Sequence, residues 1–216
     1  MALRKELVTS ALAMLTLIVV LGVLYPLVVT GIGQAAFPGN ANGQKLYVNG
    51  RLAGSKIIGQ AFVQPVYRNG KEVMSGGSPV MAPDPRYFQT RPSGTTPADN
   101  AEASSFANYG PNSRVTEKAI ASNIAAYIAL NGRYYPGGLN AAKVPVDAAD
   151  TSASGIDPDI SVANARIQAH RIASVRHLSL ARVDQLIARY TSGRGLGFSG
   201  EPGVDVLELN LALDRL

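Results

Sequence analysis

The alternation of polar and apolar positions fails conspicuously near the start of the chain. Between Glu6 and Lys45 there are 38 consecutive residues without a charge, and Leu7 to Ile32 within them is almost wholly apolar. As a helix rising 1.5 Å per residue, those 26 residues reach about 39 Å, enough to cross a hydrocarbon core about 30 Å thick with some tilt. The pattern predicts a short N-terminus at 1–6 and a transmembrane helix over 7–32. The hydroxyls of Thr9, Ser10, Thr16 and Thr30 can bond back to the helix backbone. Gly22 admits a neighbouring helix, and Tyr25-Pro26 predicts a bend towards the far end. Thr16, Gly22, Tyr25 and Pro26 are the candidate helix-packing residues.

A cleaved signal peptide would also begin with a basic pair such as Arg4-Lys5, but its apolar region runs only about 7–15 residues. This one is nearly twice that, and Ile32-Gly33-Gln34-Ala35-Ala36 offers no good small-x-small cleavage site. The expectation is an uncleaved single-pass anchor in the inner (plasma) membrane. Arg4 and Lys5 abut the apolar run, whereas Lys45 lies 13 residues beyond it, which favours a cytoplasmic N-terminus and an extracytoplasmic bulk.

Beyond the anchor, residues 33–216 carry the composition of one ordinary soluble domain. Lys45 to Val48 and Arg51 to Ile58 flank Asn49-Gly50, a pair suited to the type I′ turn of a hairpin. Residues 64–113 are rich in Gly, Pro, Ser and Asn without a sustained period, which predicts a long irregular region anchored by Tyr87-Phe88. Ser113 is a candidate N-cap for a helix using Val115, Ile120, Ile124, Tyr127 and Ile128 until Asn131-Gly132. A second helix is expected from Ser161 through Ile167 to about Val175, and a third from Ser179 using Leu180, Val183, Leu186 and Ile187. Val204 to Leu211 alternates with period two and predicts a closing strand. No internal repeat is evident. The predicted class is α+β (mixed α/β): one N-terminal transmembrane helix, then a single extracytoplasmic domain with a small sheet and about three helices.

Composition removes several chemistries. Charged residues make up 16 % of the 216-residue chain, below the roughly 25 % of an average soluble protein, and the uncharged anchor accounts for the deficit. The absence of Cys excludes disulfides, thiolate metal sites and a cysteine nucleophile. The net charge of +5 comes without a run of five basic residues, so nucleic acid is not an expected partner.

Gly195-Leu196-Gly197-Phe198-Ser199-Gly200 matches G-x-G-x-x-G in letters. A dinucleotide fingerprint must follow a strand and open a helix, whereas here a helix precedes and Glu201-Pro202-Gly203 follows. His170 and His177 lack a third metal ligand nearby and read as surface or capping residues. Asp157-Pro158-Asp159 reads as a turn into a helix rather than a metal motif. No G-x-S-x-G occurs, and Gly76-Gly77-Ser78 and Ser104-Ser105 are loop residues on composition. The residues supply no self-contained active site, catalytic group or metal centre. A membrane-anchored extracytoplasmic hydrolase is the alternative from another class.

The order of segments is more specific than any one of them. Tyr25 to Gly31, Ala41-Asn42-Gly43, Ile58-Gly59-Gln60 with Phe62, Tyr87-Phe88-x-x-Arg91-Pro92-Ser93, Asn108 to Pro111, Pro145-Val146-Asp147, Ser152 to Ser161, Ala169-x-Arg171-Ile172-Ala173 and the closing Val206 to Asp214 resemble the C-subunit family of the Kdp potassium-transporting P-type ATPase. The resemblance covers nearly the whole chain. It implies an accessory, non-catalytic subunit in a hetero-oligomeric membrane complex with a channel-like potassium-translocating subunit, a P-type ATPase subunit and a small single-helix subunit. It further implies a catalytic chaperone that raises the ATP affinity of the pump subunit. ATP binding follows from that resemblance, while an extracytoplasmic domain is poorly placed for contact with cytoplasmic ATP. ATP is expected in the complex, with no cofactor of the chain's own. Tyr87, Phe88 and Arg91 are the candidate partner-facing residues. Two departures stand out: most of 64–84 looks like an inserted surface loop, and Ser104 to Pro111 lacks the two consecutive glycines common in the family.

Overall fold

Residues 2–36 form one uninterrupted helical rod, the only described helix long and apolar enough to cross a membrane. It comprises α1 (Ala2–Val19), a π-helical turn at Val20–Leu24 and α2 (Tyr25–Ala36). The π turn has a local cause. Pro26 has no N–H, and its ring crowds the carbonyl four residues back, that of Gly22. The backbone widens, and the Tyr25 N–H donates to the Val20 carbonyl five residues earlier. Gly22 and Tyr25-Pro26, expected to bend the helix, fall in and just after this π turn. The Thr16 hydroxyl bonds the Leu12 carbonyl at 2.8 Å.

The computed structural model describes residues 2–95, 98–103, 108–110 and 112–216, and the chain divides into two units, Met1–Ala53 and Gly54–Leu216. The first unit continues from the rod through α3 (Pro38–Ala41) into a hairpin of β1 (Lys45–Val48) and β2 (Arg51–Ser55), whose second strand runs on to the boundary. Its turn residues Asn49 and Gly50 have φ of 50° and 76°, as a type I′ turn requires.

The second unit begins with a three-armed β element where an irregular loop is expected. β3 (Val63–Pro65) pairs with β8 (Met81–Pro83), β4 (Tyr67–Arg68) with β5 (Lys71–Glu72), and β6 (Met74–Ser75) with β7 (Ser78–Pro79). At the junction the Val66 N–H donates to the Val80 carbonyl, Val80 to Val73 and Val73 to Val66, at 2.8, 2.7 and 2.8 Å. This closed ring has a sequence basis. Val66 to Val73 and Val73 to Val80 are two copies of a seven-residue unit, each turning at a pair with positive φ, Asn69-Gly70 and Gly76-Gly77. A repeat is therefore present, too short and too polar to register as apolar periodicity.

Four long helices follow. α4 (Arg114–Asn131) starts at Ser113, whose side chain accepts from the Val115 N–H. A 3₁₀ turn at Ala141–Lys143 and the single turn α5 (Val146–Ala149) lead to β9 (Asp159–Ser161) and α6 (Val162–Arg176), capped by Ser161. α7 (Leu180–Arg189), capped by Ser179, precedes β10 (Thr191–Ser192), β11 (Gly203–Asp205) and α8 (Val206–Leu213). The strands form an antiparallel sheet in the order β10-β11-β9. Its residues Ile160 and Val204 join Phe88, Ile172, Val183, Leu209 and Leu213 in one core.

The period-two reading of the C-terminus holds only to Asp205, and the strand predicted to continue to Leu211 is instead α8. Asp205 accepts the Glu208 N–H at 2.7 Å and caps the helix. Val206, Leu207, Leu209, Asn210, Ala212 and Leu213 are buried on almost every side, so no amphipathic stripe appears in the sequence.

Candidate functional site

The segment Asp84–Arg91 carries the expected partner-facing residues, and its conformation is built by side chains from elsewhere. Asp84 opens it: the carboxylate accepts the Arg86 N–H at 2.9 Å and pairs with the Arg86 guanidinium at 2.6 Å, which holds its pKa below the ordinary value. At the next step two side-chain amides stand in for strands. Asn210 on α8 accepts the Phe88 N–H at 2.9 Å and donates to the Phe88 carbonyl at 3.0 Å. Gln168 on α6 does the same for Gln89, at 2.8 and 3.0 Å.

Arg171, one turn further along α6, is wholly buried. Its guanidinium donates to the carbonyls of Pro85 and Tyr87 and to the side chains of Asn131 and Gln168. Burial pushes it down to about 10, so it remains a cation at neutral pH, neutralised by carbonyl dipoles rather than a contacting carboxylate. A supporting layer continues the network. Asn164 bonds Gln168, the Tyr127 hydroxyl donates to Asn164, and Asp147 accepts from Asn164 and from the Ser161 N–H and hydroxyl. Burial raises the Tyr127 phenol, which stays protonated.

The three candidates fare differently. Tyr87 is half-buried, stacked on Phe62 with ring centroids 5.3 Å apart, beneath the Arg176 guanidinium at 4.7 Å, and bonded to Asp214. Phe88 presents no surface: its ring is fully buried in the core. A three-letter window could not reveal this, because Phe88 and Tyr87 alternate sides only once the amide clasps fix the backbone. Arg91 is partly exposed, pairs with Asp157 at 3.3 Å and donates to the Thr151 carbonyl at 3.0 Å. Its Nε is buried without a hydrogen-bond partner among the described residues. Arg91, Gln89, Thr90, Asp99, Asn123 and Tyr127 border a cleft of about 240 Å³, where burial raises the Asp99 carboxyl.

Other sequence candidates fall outside this region. Thr16, Gly22, Tyr25 and Pro26 all lie on the exposed helical rod. Gly195 and Ser199 close a tight turn, exchanging backbone bonds at 2.7 and 2.8 Å, and Leu196 and Phe198 project from it 90 % and 75 % exposed. The G-x-G-x-x-G letters therefore form a hairpin tip between β10 and β11, with no helix N-terminus behind it. His177 is the left-handed cap of α6, and His170 meets the edge of Tyr135. Among the described residues no group of three metal-ligating side chains occurs. Ser104 to Ala107 and Pro111 lie outside the described residues.

Gln168 and Asn210 carry no motif that marks them in the sequence. A signal exists for the first: Asn164, Gln168 and Arg171 recur at four and three residues on one face of a helix that is otherwise largely buried. Polar residues at core spacing require specific partners.

Comparison with known proteins matches residues 7–215 to the family described as K+-transporting ATPase, c chain. The chain is 45 % identical to a potassium-transporting ATPase KdpC subunit of Methylococcus capsulatus, over 96 % of each chain. It is 43 % identical to the subunit of that name from Methylibium petroleiphilum over 97 % of each, and 40 % identical to that of Mycobacterium tuberculosis over 99 % of this chain and 100 % of the other. An α+β unit following one membrane-length helix, matched end to end, makes this chain a member of the KdpC family, a subunit of the potassium-transporting ATPase.

Proposed function

We propose that the chain is the accessory, non-catalytic subunit of an ATP-driven potassium uptake complex. It assembles with a channel-like subunit, a P-type ATPase subunit and a small single-helix subunit. The observation that carries this reading is the near full-length likeness to subunits bearing that name. The helical rod anchors the chain with its N-terminus cytoplasmic and residues 33–216 outside. ATP is then bound by the pump subunit, and this chain raises its ATP affinity through assembly rather than contact.

Two experiments test this. Purified with its neighbours, the chain should co-elute with the channel-like and P-type subunits, whereas hydrolytic turnover by this chain alone would defeat the reading. Ser199→Cys, on the exposed hairpin tip of a cysteine-free chain, should react with an impermeant maleimide in intact cells. Labelling only after lysis would reverse the orientation and bring ATP contact back into play.

A further inference from the structure

Five arginines of the second unit meet a carboxylate or a carbonyl. Arg86, Arg91, Arg176 and Arg194 each pair with a carboxylate, and Arg171 is satisfied internally. Of those without a carboxylate partner, three share one cleft. Arg182 and Arg189 lie seven residues apart on α7, two turns along one face. With Arg215 they border a single cleft of about 280 Å³ between α7 and the end of α8. None of the three lies within ion-pair distance of a carboxylate among the described residues. Asp214, beside Arg215, is engaged by Arg176 and Tyr87, and Asp184 on α7 does not line the cleft. The cleft also carries the Gln185 amide, the C-terminal residue Leu216 and Tyr190, whose ring lies 5.9 Å from the Arg189 guanidinium, over an apolar floor of Leu186 and Ala212.

Exposed guanidinium groups that share a cleft repel one another weakly through solvent, and a bound anion relieves that repulsion. The planar fork of Arg matches the oxygens of a phosphate group in bidentate fashion, which a single ammonium cannot do. The cleft volume exceeds a lone phosphate group, leaving room for an ester substituent over the apolar floor. We propose that the Arg182–Arg189–Arg215 cleft is a binding site for a phosphate-bearing anion, either a free phosphate or phosphate ester or the headgroup of an anionic phospholipid. The proposal is independent of the assembly reading above.

The test uses the full chain in phosphatidylcholine nanodiscs and chloride buffer, titrated with inorganic phosphate by calorimetry. Saturable binding is expected, weakened by about tenfold in Arg182→Gln/Arg189→Gln and unchanged in Arg68→Gln on the exposed β element. Arg215→Gln, at an exposed position beyond α8, should weaken binding on its own if the double variant is poorly folded. A second arm uses discs containing phosphatidylglycerol without free phosphate. If the headgroup is the natural source, these discs raise the thermal midpoint of the unaltered chain but not of the double variant. If a free phosphate is the source, the two disc types give the same midpoint and the same phosphate titration. Absence of saturable binding in phosphatidylcholine discs, or equal affinity in Arg215→Gln and the unaltered chain, overturns the site.

Discussion

Residues 63–83 and 84–91 adjoin in sequence and are held in opposite ways. The three-armed β element closes on itself, through the ring of Val66, Val73 and Val80 and two tight turns, and most of its side chains face solvent. The segment after it has almost no regular structure of its own. It borrows order from Asn210, Gln168 and Arg171, residues 79 to 122 positions away from the backbone groups they hold. Local closure makes an arm that can open without the core; borrowed order makes a segment whose loss is the loss of the core.

The largest expected effect breaks the second arrangement. Arg171→Ala leaves the carbonyls of Pro85 and Tyr87 and the side chains of Asn131 and Gln168 without their donor, and a buried cavity beside them. It should lower stability by about 3–5 kcal/mol, measured by denaturant titration of the full chain in detergent. A change under about 1 kcal/mol would show that the segment holds itself. Asn210→Ala removes one amide clasp and should cost about 2–3 kcal/mol by the same assay, with amide exchange at Phe88 accelerated.

The contrasting prediction concerns the β element. Val73→Pro deletes one donor of the ring, so exchange at the Val66 and Val80 amides should rise steeply while the global midpoint moves little. A global loss as large as that of Arg171→Ala would make the element part of the core rather than an appendage.

The smallest effect sharpens the boundary between sheet and helix. Burial pushes Asp205 from its ordinary 3.8 up to about 6, although it caps α8. Across that window the folded state holds the proton that the unfolded state has released, so this group's contribution to stability falls as pH rises from about 4 to about 6. Asp205→Asn keeps a cap acceptor without the buried charge. The difference in stability between the two proteins should therefore shift in favour of Asn as pH rises through that window, and a flat difference would show that the carboxylate is not desolvated.

The amino-acid sequence by itself determined whatever depends on neighbours along the chain. The membrane-length helix follows from an uncharged run of sufficient length, the π turn before Pro26 from one missing N–H, the hairpin at Asn49-Gly50 from positive φ, and three helix starts from Ser113, Ser161 and Ser179. Tertiary structure alone decided what depends on burial from several sides. Val206 to Leu213 alternates like a strand yet forms a helix, because a helix buried all round shows no stripe. Phe88 turned inward and Tyr87 partly outward because two distant amides clasp the backbone between them. The arginines at 182, 189 and 215 became one cleft only when α8 folded against α7. Local geometry propagates through covalent bonds over a few residues, whereas burial is a property of the finished packing and has no address in the chain.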